Sequence, residues 1–469
     1  MITVPESISN ALFAPERYIQ AHLSLYIDDT VVDLTEETIS FDTLETITST
    51  TQKPYGAITY NELHIELDNL AKNFTLTNSS SPYFQKLKAK MKVILEYIVF
   101  PDLADMSNSY TIPGGTFYTD TWKGDIGENT ATVDCYDILQ LYGEQPLIPF
   151  KIQRNVPAKK AFEFLFKLYG IPSNLYTIDS SLSVSLDFFR PIGDTLTECL
   201  ESIALACCAN VYADRFGRIV VKSILRKKTS GITLSEDAVI FNIKAPSSSR
   251  EAYAYISMTY FENTEQTQEI IYEETGRDIP SGIVKLSGLI SKIDPLVDVV
   301  CIAITGKNVT IVDRTFTSST VDITLENKLR TNQQIDLRIF GTGLQVNQST
   351  LTSECEPNAS SNTLQIDLEQ CISMPEAQRN INLLKKLFAG GTVQQEVELR
   401  ALPFLELGDK VTIYSPISRL NQDFYVSEIS NVFDGALTGT IKLSAAEYKP
   451  KPYTWIAPGL YIKRKEDES

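Results

Sequence analysis

Alternating apolar and polar residues dominate the first third of the chain. Apolar side chains occupy every second position from Ala21 to Ile27 and from Leu63 to Leu67, and Lys92–Phe100 is largely apolar. A period of two is typical of half-buried strands. Short strands that recur about every 8–12 residues with turns between them are typical of a sandwich or barrel. The pattern therefore predicts a β domain over residues 1–150.

The pattern changes to a helical spacing between Asp194 and Ser223. Apolar residues at Leu196, Leu200, Ile203 and Cys207 fall on one helical face, and Asp194 is predicted to cap the helix. The segment 214–217 is a turn signal that contains a glycine, and the alternation that follows predicts a strand. A helix that leads into a β-hairpin is therefore expected, as a packing unit without catalytic residues.

The remaining chain divides by the same signals. Residues 151–230 combine helical and strand patterns and are predicted to form an α/β piece. A polar block rich in Thr and Ser over residues 265–370 predicts an inserted β domain. Pro375–Phe388 has the spacing of an amphipathic helix, with Gly390 and Gly391 after it, and strand patterns follow to Ser444.

Composition limits the function. The chain has 469 residues and a formal net charge of −17. Such acidity argues against binding nucleic acid by neutralising phosphates, but it does not exclude a wall that nucleic acid passes without adsorbing. The N-terminus lacks the pattern of a secretory signal, and no apolar run approaches the roughly 20 residues of a membrane-spanning helix.

The seven cysteines have irregular spacing and form no CxxC pair. Most lie among apolar residues, where a free thiol behaves as a small hydrophobic group. The adjacent Cys207 and Cys208 would point about 100° apart on a helix, so core packing is favoured over redox or metal chemistry. A chain made in a reducing cytoplasm, without a disulfide framework, is expected.

Candidate catalytic residues are few. The two histidines, His22 and His64, lie on polar strand faces far apart in sequence, which disfavours a zinc site. Two carboxylate clusters could in principle flank a sugar as a glycosidase pair, although solvated loops are the favoured interpretation: Asp28-Asp29 with Glu36-Glu37, and Glu269, Glu273 and Glu274. The basic run 226–228 is interpreted as a solvated surface. We therefore predict no catalytic, cofactor-binding or metal-binding residues, no cofactor and no enzymatic activity.

Three groups of segments resemble the hub proteins at the distal end of bacteriophage tails. The first runs from Ile112 to Tyr118, continues with Trp122, and ends with Ala131–Asp137; it resembles the end of the family's first barrel. The second, made of Asn155–Gly170 and Asp194–Ile219, resembles the family's intervening α/β domain. The third resembles the closing strands and comprises Leu405–Val411, Phe424–Val426 and Thr440–Leu443.

The resemblance implies a mainly β fold with an α/β subdomain and two hub-type β-barrels. Residues 1–150 would form the first barrel, and residues 231–264 with 390–448 would form the second. The α/β domain (151–230), the inserted β domain (265–370) and a packing helix (371–389) would lie around them, and 449–469 would be a C-terminal tail. In the family, two similar barrels per subunit give a trimeric ring with quasi-six-fold character.

The predicted function is therefore structural. The resemblance implies a homotrimer in the tail tip or baseplate of a virion, assembled in the bacterial cytoplasm. It would join the six-fold tail tube or distal tail proteins to a three-fold spike, fibre or tape-measure protein, and DNA would pass through its lumen without specific binding. A carbohydrate- or receptor-binding adhesion protein is the first alternative, with the insert presenting the binding loops, and a cell-wall glycoside hydrolase is the second.

Overall fold

The computed structural model describes residues 1–445 except 29, 48–54, 103–105, 125–126, 225–230, 237, 245–252, 356–361, 389–393 and 419. Three predicted features lie outside these residues: the basic run at 226–228, Gly390 with Gly391, and the C-terminal tail at 449–469. Strands are the main secondary structure, so the predicted mainly β fold with a helix-containing piece is confirmed. No helix in the described part of the chain is long and apolar enough to span a bilayer.

The N-terminal part folds as a strand system that we call the first half. A short helix precedes it and another follows it. Its elements are α1 (Glu6–Phe13), β1 (Tyr18–Ile27), β2 (Thr30–Asp33), β3 (Thr38–Thr46), β4 (Glu62–Asp68), β5 (Lys92–Phe100), β6 (Tyr110–Lys123), β7 (Thr130–Tyr136) and α2 (Ile138–Gly143). The apolar positions of β4, β5 and β7 are buried in strict alternation, as the sequence pattern predicted.

An α/β piece follows. Its elements are β8 (Gln153–Pro157), α3 (Ala158–Leu168), a 3-10 turn (Ser173–Leu175), β9 (Tyr176–Ile178), β10 (Ser185–Phe189), α4 (Leu196–Cys207), β11 (Ala209–Ala213) and β12 (Ile219–Ser223). The expected hairpin is present as β11 and β12, and the predicted apolar face of α4 is fully buried. Gly217 in the hairpin turn has a φ of 74°, which glycine adopts at little cost.

The predicted helix cap differs by one residue. Thr195, not Asp194, is the N-cap of α4, and its hydroxyl accepts the N–H of Glu198 at 3.3 Å. The Glu198 carboxylate in turn accepts the N–H of Thr195 at 3.2 Å. This reciprocal capping box satisfies two backbone donors at once, and the sequence Thr-x-x-Glu encodes it.

The C-terminal part contains the second half and an insertion within it. The second half comprises β13 (Ile232–Ser235), β14 (Ile240–Ile243), β22 (Gln394–Arg400), β23 (Lys410–Ser415), β24 (Leu420–Phe433) and β25 (Leu437–Ala445). The insertion between β14 and β22 comprises β15 (Tyr255–Ile279), β16 (Gly282–Ile290), β17 (Leu296–Ile304), β18 (Val309–Phe316), β19 (Thr320–Asn327), β20 (Gln333–Glu354), β21 (Thr363–Asp367) and α5 (Met374–Phe388).

The insertion begins earlier than predicted. Residues 255–264 were assigned to the second barrel, but they form the start of β15, which pairs with β20 and β21. Ile256, Met258 and Tyr260 are buried in the same core as α3, α4 and α5, because this end of the ribbon packs on the α/β piece. The far end of β15 and β20 forms a separate core with β16–β19.

The two halves share one sheet. Its strand order is β14-β22-β25-β24-β3-β4-β7-β6-β5-β1-β2, and β23 and β13 branch from β24. A single apolar core contains buried residues from both halves. The two halves are therefore joined edge to edge, and that junction is the centre of the candidate site.

Candidate assembly interface

A unit of four strands occurs twice in the shared sheet. The first unit is β3-β4-β7-β6 and the second is β14-β22-β25-β24. Each unit is antiparallel throughout, and its strands follow one another along the chain in the same order. We call residues in corresponding register positions of the two units equivalent.

The register of the two units agrees residue by residue. On the flanking strands β5 and β23, Lys92 and Val93 lie opposite Tyr118 and Phe117. Their equivalents Lys410 and Val411 lie opposite Tyr425 and Phe424, so these four residue types are the same in both halves. Both long strands also carry a β-bulge at the equivalent place, after Thr119 in β6 and after Val426 in β24. The two halves differ in the next strand outward: β1 is antiparallel to β5, whereas β13 is parallel to β23.

The loops that enter β5 and β23 are also equivalent. The N–H of Gly408 donates to the carbonyl of Val426 at 2.8 Å, as the N–H of Lys90 donates to that of Thr119 at 2.5 Å. Both residues have a left-handed backbone, with φ of 81° at Gly408 and 66° at Lys90. The spacing Leu-x₄-Lys-Val, shared by residues 87–93 and 405–411, is a sequence signal of this repeat.

The left-handed turns predict unequal effects of two substitutions. Gly408→Ala is expected to lower the free energy of unfolding by about 1 kcal/mol, because a Cβ is strained at positive φ even though nothing lies within 3.4 Å of it. Lys90→Gly relieves the same strain but makes the unfolded chain more flexible, so a net change within about 0.5 kcal/mol is expected. Thermal melting of both variants measures this, and an equal loss in both would contradict the equivalence of the two turns.

The junction between the two units, which we call the seam, is an antiparallel pairing of β24 with β3. It runs from Glu428 opposite Thr46 to Phe433 opposite Phe41. The rings of Phe41 and Phe433 stack with centroids 5.2 Å apart, and Tyr97 lies behind them. Cross-strand aromatic pairs of this kind stabilise a sheet beyond their backbone hydrogen bonds.

A buried ion pair lies on the core side of the seam. Arg215, in the hairpin turn between β11 and β12, donates from Nε to the Glu45 carboxylate at 2.9 and 3.1 Å, and its Nη1 donates to the Pro403 carbonyl. Both side chains are almost completely inaccessible. Burial raises the pKa of Glu45, and the Arg215 charge opposes that rise. Arg215 therefore ties the α/β piece to both halves at their junction.

Among the described strands, none pairs with the C-terminal half of β6 as β3 pairs with the equivalent half of β24. Thr121, Trp122 and Lys123 are equivalent to Glu428, Ile429 and Ser430, which pair with β3 at the seam. No described strand pairs with β6 on that side beyond Tyr118, where its pairing with β5 ends. Trp122, Lys123 and Gly124 instead line an open cavity of about 660 Å³. Within the described residues, no strand occupies beside β6 the position that β3 occupies beside β24.

The opposite end of the sheet is also uncovered. Strand β14 is equivalent to β3 and pairs with β22 alone among the described strands. Its last residue, Ile243, is equivalent to Phe41, the residue at the end of the seam. As far as the described residues extend, the two-unit sheet ends in the β3-type strand β14 on one side and in the second half of β6 on the other.

The solvent-facing side of the two units is polar and rich in carboxylates. We call it the polar face. Its carboxylates outnumber its cations: Asp42, Glu62, Glu66, Asp68, Asp134, Glu396, Glu398 and Glu428 against Lys123, Lys244, Arg400 and Lys442. Several of the cations are paired, for example Lys442 with Glu428 at 2.8 Å and Lys123 with Asp134 at 3.4 Å.

Asp137 joins the end of β7 to α2. It is the N-cap of α2, and its buried carboxylate accepts the N–H groups of Asn61 at 2.7 Å and Leu139 at 2.8 Å. Burial raises the pKa of this carboxyl to about 7, and the backbone donors oppose the rise.

The raised pKa of Asp137 predicts a pH dependence. The pKa of Asp137 is higher in the folded chain than in the unfolded chain, so folding favours its protonated form. The resulting stabilisation is complete below about pH 4 and is lost as the pH rises through about 7. Asp137→Asn keeps the capping oxygen but does not titrate. The melting temperature of the native protein relative to this variant should fall between about pH 4 and about pH 8. Parallel pH profiles of the melting temperature in the two proteins would contradict the raised pKa of Asp137.

The predicted chemical candidates do not converge. His64 contacts Asp134 at 2.6 Å on the polar face, and His22 lies near Asp33 and Glu96 on another strand. In the second acidic cluster, Glu273 pairs with Arg338 at 2.6 Å, while the hydroxyl of Tyr272 donates to Glu274. In the first, Asp28 lies 3.4 Å from Lys88, and Asp29 is outside the described residues. Each carboxylate is solvated or paired with a cation, and the described residues contain no group of three metal-ligating side chains.

The cysteines are free thiols. Five of them, including Cys207 and Cys208, are buried, whereas Cys301 is exposed and Cys355 is half-buried. Cys208 is not a helical residue but the C-cap of α4, with a φ of 52°. Burial raises the pKa of the Cys208 thiol to about 12, which makes it unreactive.

The exposed large hydrophobic side chains of the insertion are mostly aliphatic among the described residues, and Tyr255 at the start of β15 is the aromatic exception. Its exposed large hydrophobic side chains within the described residues 265–370 are Ile270, Ile283, Ile290, Val300, Ile311 and Val312. Sugar-binding surfaces present aromatic faces to the ligand, so the adhesion alternative gains no support from this surface.

The fold is similar to those of several solved proteins. A 43 kDa tail protein of prophage MuSo2 from Shewanella oneidensis is 11% identical, with 90% of this chain and 97% of that chain covered and a TM-score of 0.49. A tail protein from Neisseria meningitidis is 7% identical over 91% and 97% of the chains, with a TM-score of 0.49. The E. coli c3393 protein, a component of the type VI secretion system, is 8% identical over 89% and 76%, with a TM-score of 0.42. No protein-family model and no curated protein matches the sequence.

Proposed function

We propose that this protein is a structural component of a phage tail tip or baseplate hub. Three copies form a ring that lines the DNA exit channel and joins the six-fold tail tube to a three-fold spike or fibre. The observation that carries the proposal is the repeated four-strand unit, whose two copies are joined by the seam and end in two uncovered edges.

The repeat supports a closed ring for a geometric reason. If the shared sheets of neighbouring copies lie side by side, each copy adds two units to a continuous wall. Head-to-tail contacts of this kind close into rings when the rotation per copy permits it. Three copies supply six similar units, which matches a six-fold neighbour, while the insertion and the α/β piece occur once per copy and present three-fold symmetry.

The polar face supports the assignment of the channel wall. Its carboxylate excess repels phosphates, so DNA passes the wall without adsorbing to it. A wall dominated by Lys and Arg would have argued against this role. The proposed neighbours are tail tube or distal tail proteins on one side and a spike, fibre or tape-measure protein on the other.

The native mass of the purified chain tests the proposal. We expect a species of three times 52.4 kDa in equilibrium with the monomer. A monomer at every concentration, combined with binding to cell-surface polysaccharide, would instead support the adhesion alternative. Hydrolysis of that polysaccharide, abolished by a carboxylate-to-amide substitution such as Glu273→Gln, would support the hydrolase alternative.

A further inference from the structure

We infer that the loop at residues 86–92, which leads into β5, is a docking surface for an acidic loop or hairpin of a partner protein. We call it the lysine loop. The inference rests on the repeat within the shared sheet and does not depend on the proposed ring. Residues 69–95 contain five lysines and no carboxylate, although the whole chain has a net charge of −17. Four of these lysines alternate along the lysine loop, at positions 86, 88, 90 and 92.

The ammonium groups of the lysine loop are accessible and largely unpaired. Lys86, Lys88 and Lys90 are exposed. Lys88 lies 3.4 Å from Asp28, but the two side chains are 64% and 73% exposed, so this pair contributes little stability. Among the described residues, no other carboxylate oxygen lies within 4.0 Å of a lysine of this loop. The lysine loop therefore presents uncompensated positive charge to solvent.

An open cavity of about 280 Å³ lies between the lysine loop and α2. Lys90 lines it together with Asp120 and Glu144, and neither carboxylate is within 4.0 Å of the Lys90 ammonium group. The cavity leaves room for side chains of a partner beside the loop.

The equivalent loop of the second half has the opposite charge and is covered. Glu406 stands at the position of Lys88, and Leu407, which is 5% exposed, stands at the position of the exposed Ala89. The side chain of Glu406 is 28% exposed, against 64% for Lys88. Two loops with the same register therefore differ in their charge and in whether another element of the chain covers them.

The hairpin of β11 and β12 covers the second loop. Lys222 Nζ lies 3.5 Å from the position that a Cβ would occupy at Gly408. Arg215 donates to the carbonyl of Pro403, just before the loop, and Arg218 lines the same cavity as the acidic residues of the loop. Within one chain, an acidic loop is thus covered by a hairpin that carries three cations.

The occupant of the lysine loop follows from the inverted charge. A protein element that covers it as the hairpin covers its equivalent would place carboxylates opposite Lys86, Lys88 and Lys90. Complementary charges of this kind determine the choice of partner and the speed of association. Four cations are fewer than the roughly six to ten phosphate contacts of a typical DNA-binding surface, and the equivalent loop is covered by protein. An acidic protein loop is therefore favoured over DNA.

Binding of an acidic probe peptide tests the inference. The probe is a fluorescent peptide in which Glu alternates with Thr. It is compared with the same peptide carrying Lys in place of Glu, and with a duplex DNA of equal charge. Fluorescence anisotropy at low ionic strength, where contacts between exposed charges are least screened, measures each affinity. The protein is kept at concentrations where it is a monomer.

Two sets of substitutions remove the same amount of charge from different surfaces. The loop variant combines Lys86→Gln, Lys88→Gln and Lys90→Gln. The matched control removes three cations from the surface of α3, by Lys159→Gln, Lys160→Gln and Lys167→Gln. Thermal melting checks that both variants fold.

We expect the loop variant to bind the Glu peptide at least about tenfold more weakly than the native protein, and the control variant to change the affinity less than about twofold. No measurable binding of the Glu peptide to the native protein, or equal losses in the two variants, would overturn the inference. Tighter binding of the DNA than of the Glu peptide, lost in the loop variant, would also overturn it, because the lysine loop would then recognise nucleic acid. Absence of any ring would instead overturn the proposed function and leave the peptide binding intact, so the two failures are distinguishable.

Discussion

Arg215→Ala is expected to lower the free energy of unfolding by about 3–5 kcal/mol, because it breaks a buried ion pair. The substitution leaves the Glu45 carboxylate buried without its cation and removes the donor to the Pro403 carbonyl. An isolated charge in such a site costs far more than the pair contributes. Because Arg215 contacts β3 and the loop before β23, the loss should also loosen the seam.

Two controls separate this effect from a general loss of charge. Arg218 pairs with Asp214 in the same turn but is 40% exposed, so Arg218→Ala should cost less than about 1 kcal/mol. The double substitution Arg215→Met with Glu45→Leu removes both charges and should recover most of the stability. Urea denaturation measures all three variants. A double variant as unstable as Arg215→Ala would show that the ion pair is not the cause.

Phe41→Ala is expected to lower the free energy of unfolding by about 3–5 kcal/mol, because it removes a fully buried ring at the seam. It deletes the stack on Phe433 and leaves a cavity beside Tyr97. The loss should be concentrated at the seam, since Phe41 joins the two halves. Amide hydrogen exchange should therefore accelerate first in β3 and in the second part of β24.

Phe241→Ala is the matched control. Phe241 lies on β14, the strand equivalent to β3, but its side chain is 59% exposed in the single chain. Its substitution should change the stability of the monomer by less than about 0.5 kcal/mol. Uniformly faster exchange throughout the Phe41→Ala protein, with no preference for the seam, would contradict the role assigned to Phe41.

Sequence periodicity predicted the local structure well where one face of an element is buried. Burial determines the alternation in β4, β5 and β7 and the apolar face of α4. In these elements an apolar residue therefore indicates a buried position. Pro375–Phe388 was predicted as a helix and is observed as Met374–Phe388. The cap of α4 was missed by one residue because Asp194 and Thr195 are both good capping residues, and only the position of Glu198 distinguishes them.

The repeat could not be predicted in the same way. Its two units share backbone register but few residue types, since Trp122 replaces Ile429 and Lys123 replaces Ser430. Register depends on which strands meet, and the strands that meet at the seam are almost 390 residues apart in sequence. The start of the insertion was misplaced because the alternation of Tyr255–Tyr260 is compatible with either sheet, and packing against α5 decides between them.

Imaging of the assembled protein tests the central claim most directly. Class averages of the purified three-copy species, by negative stain and then at higher resolution, should show a ring with a central hole wide enough for duplex DNA. The wall should contain six similar units, and the outer decorations should follow three-fold symmetry. A compact particle without a hole, or a ring whose wall does not contain six similar units, would contradict the account.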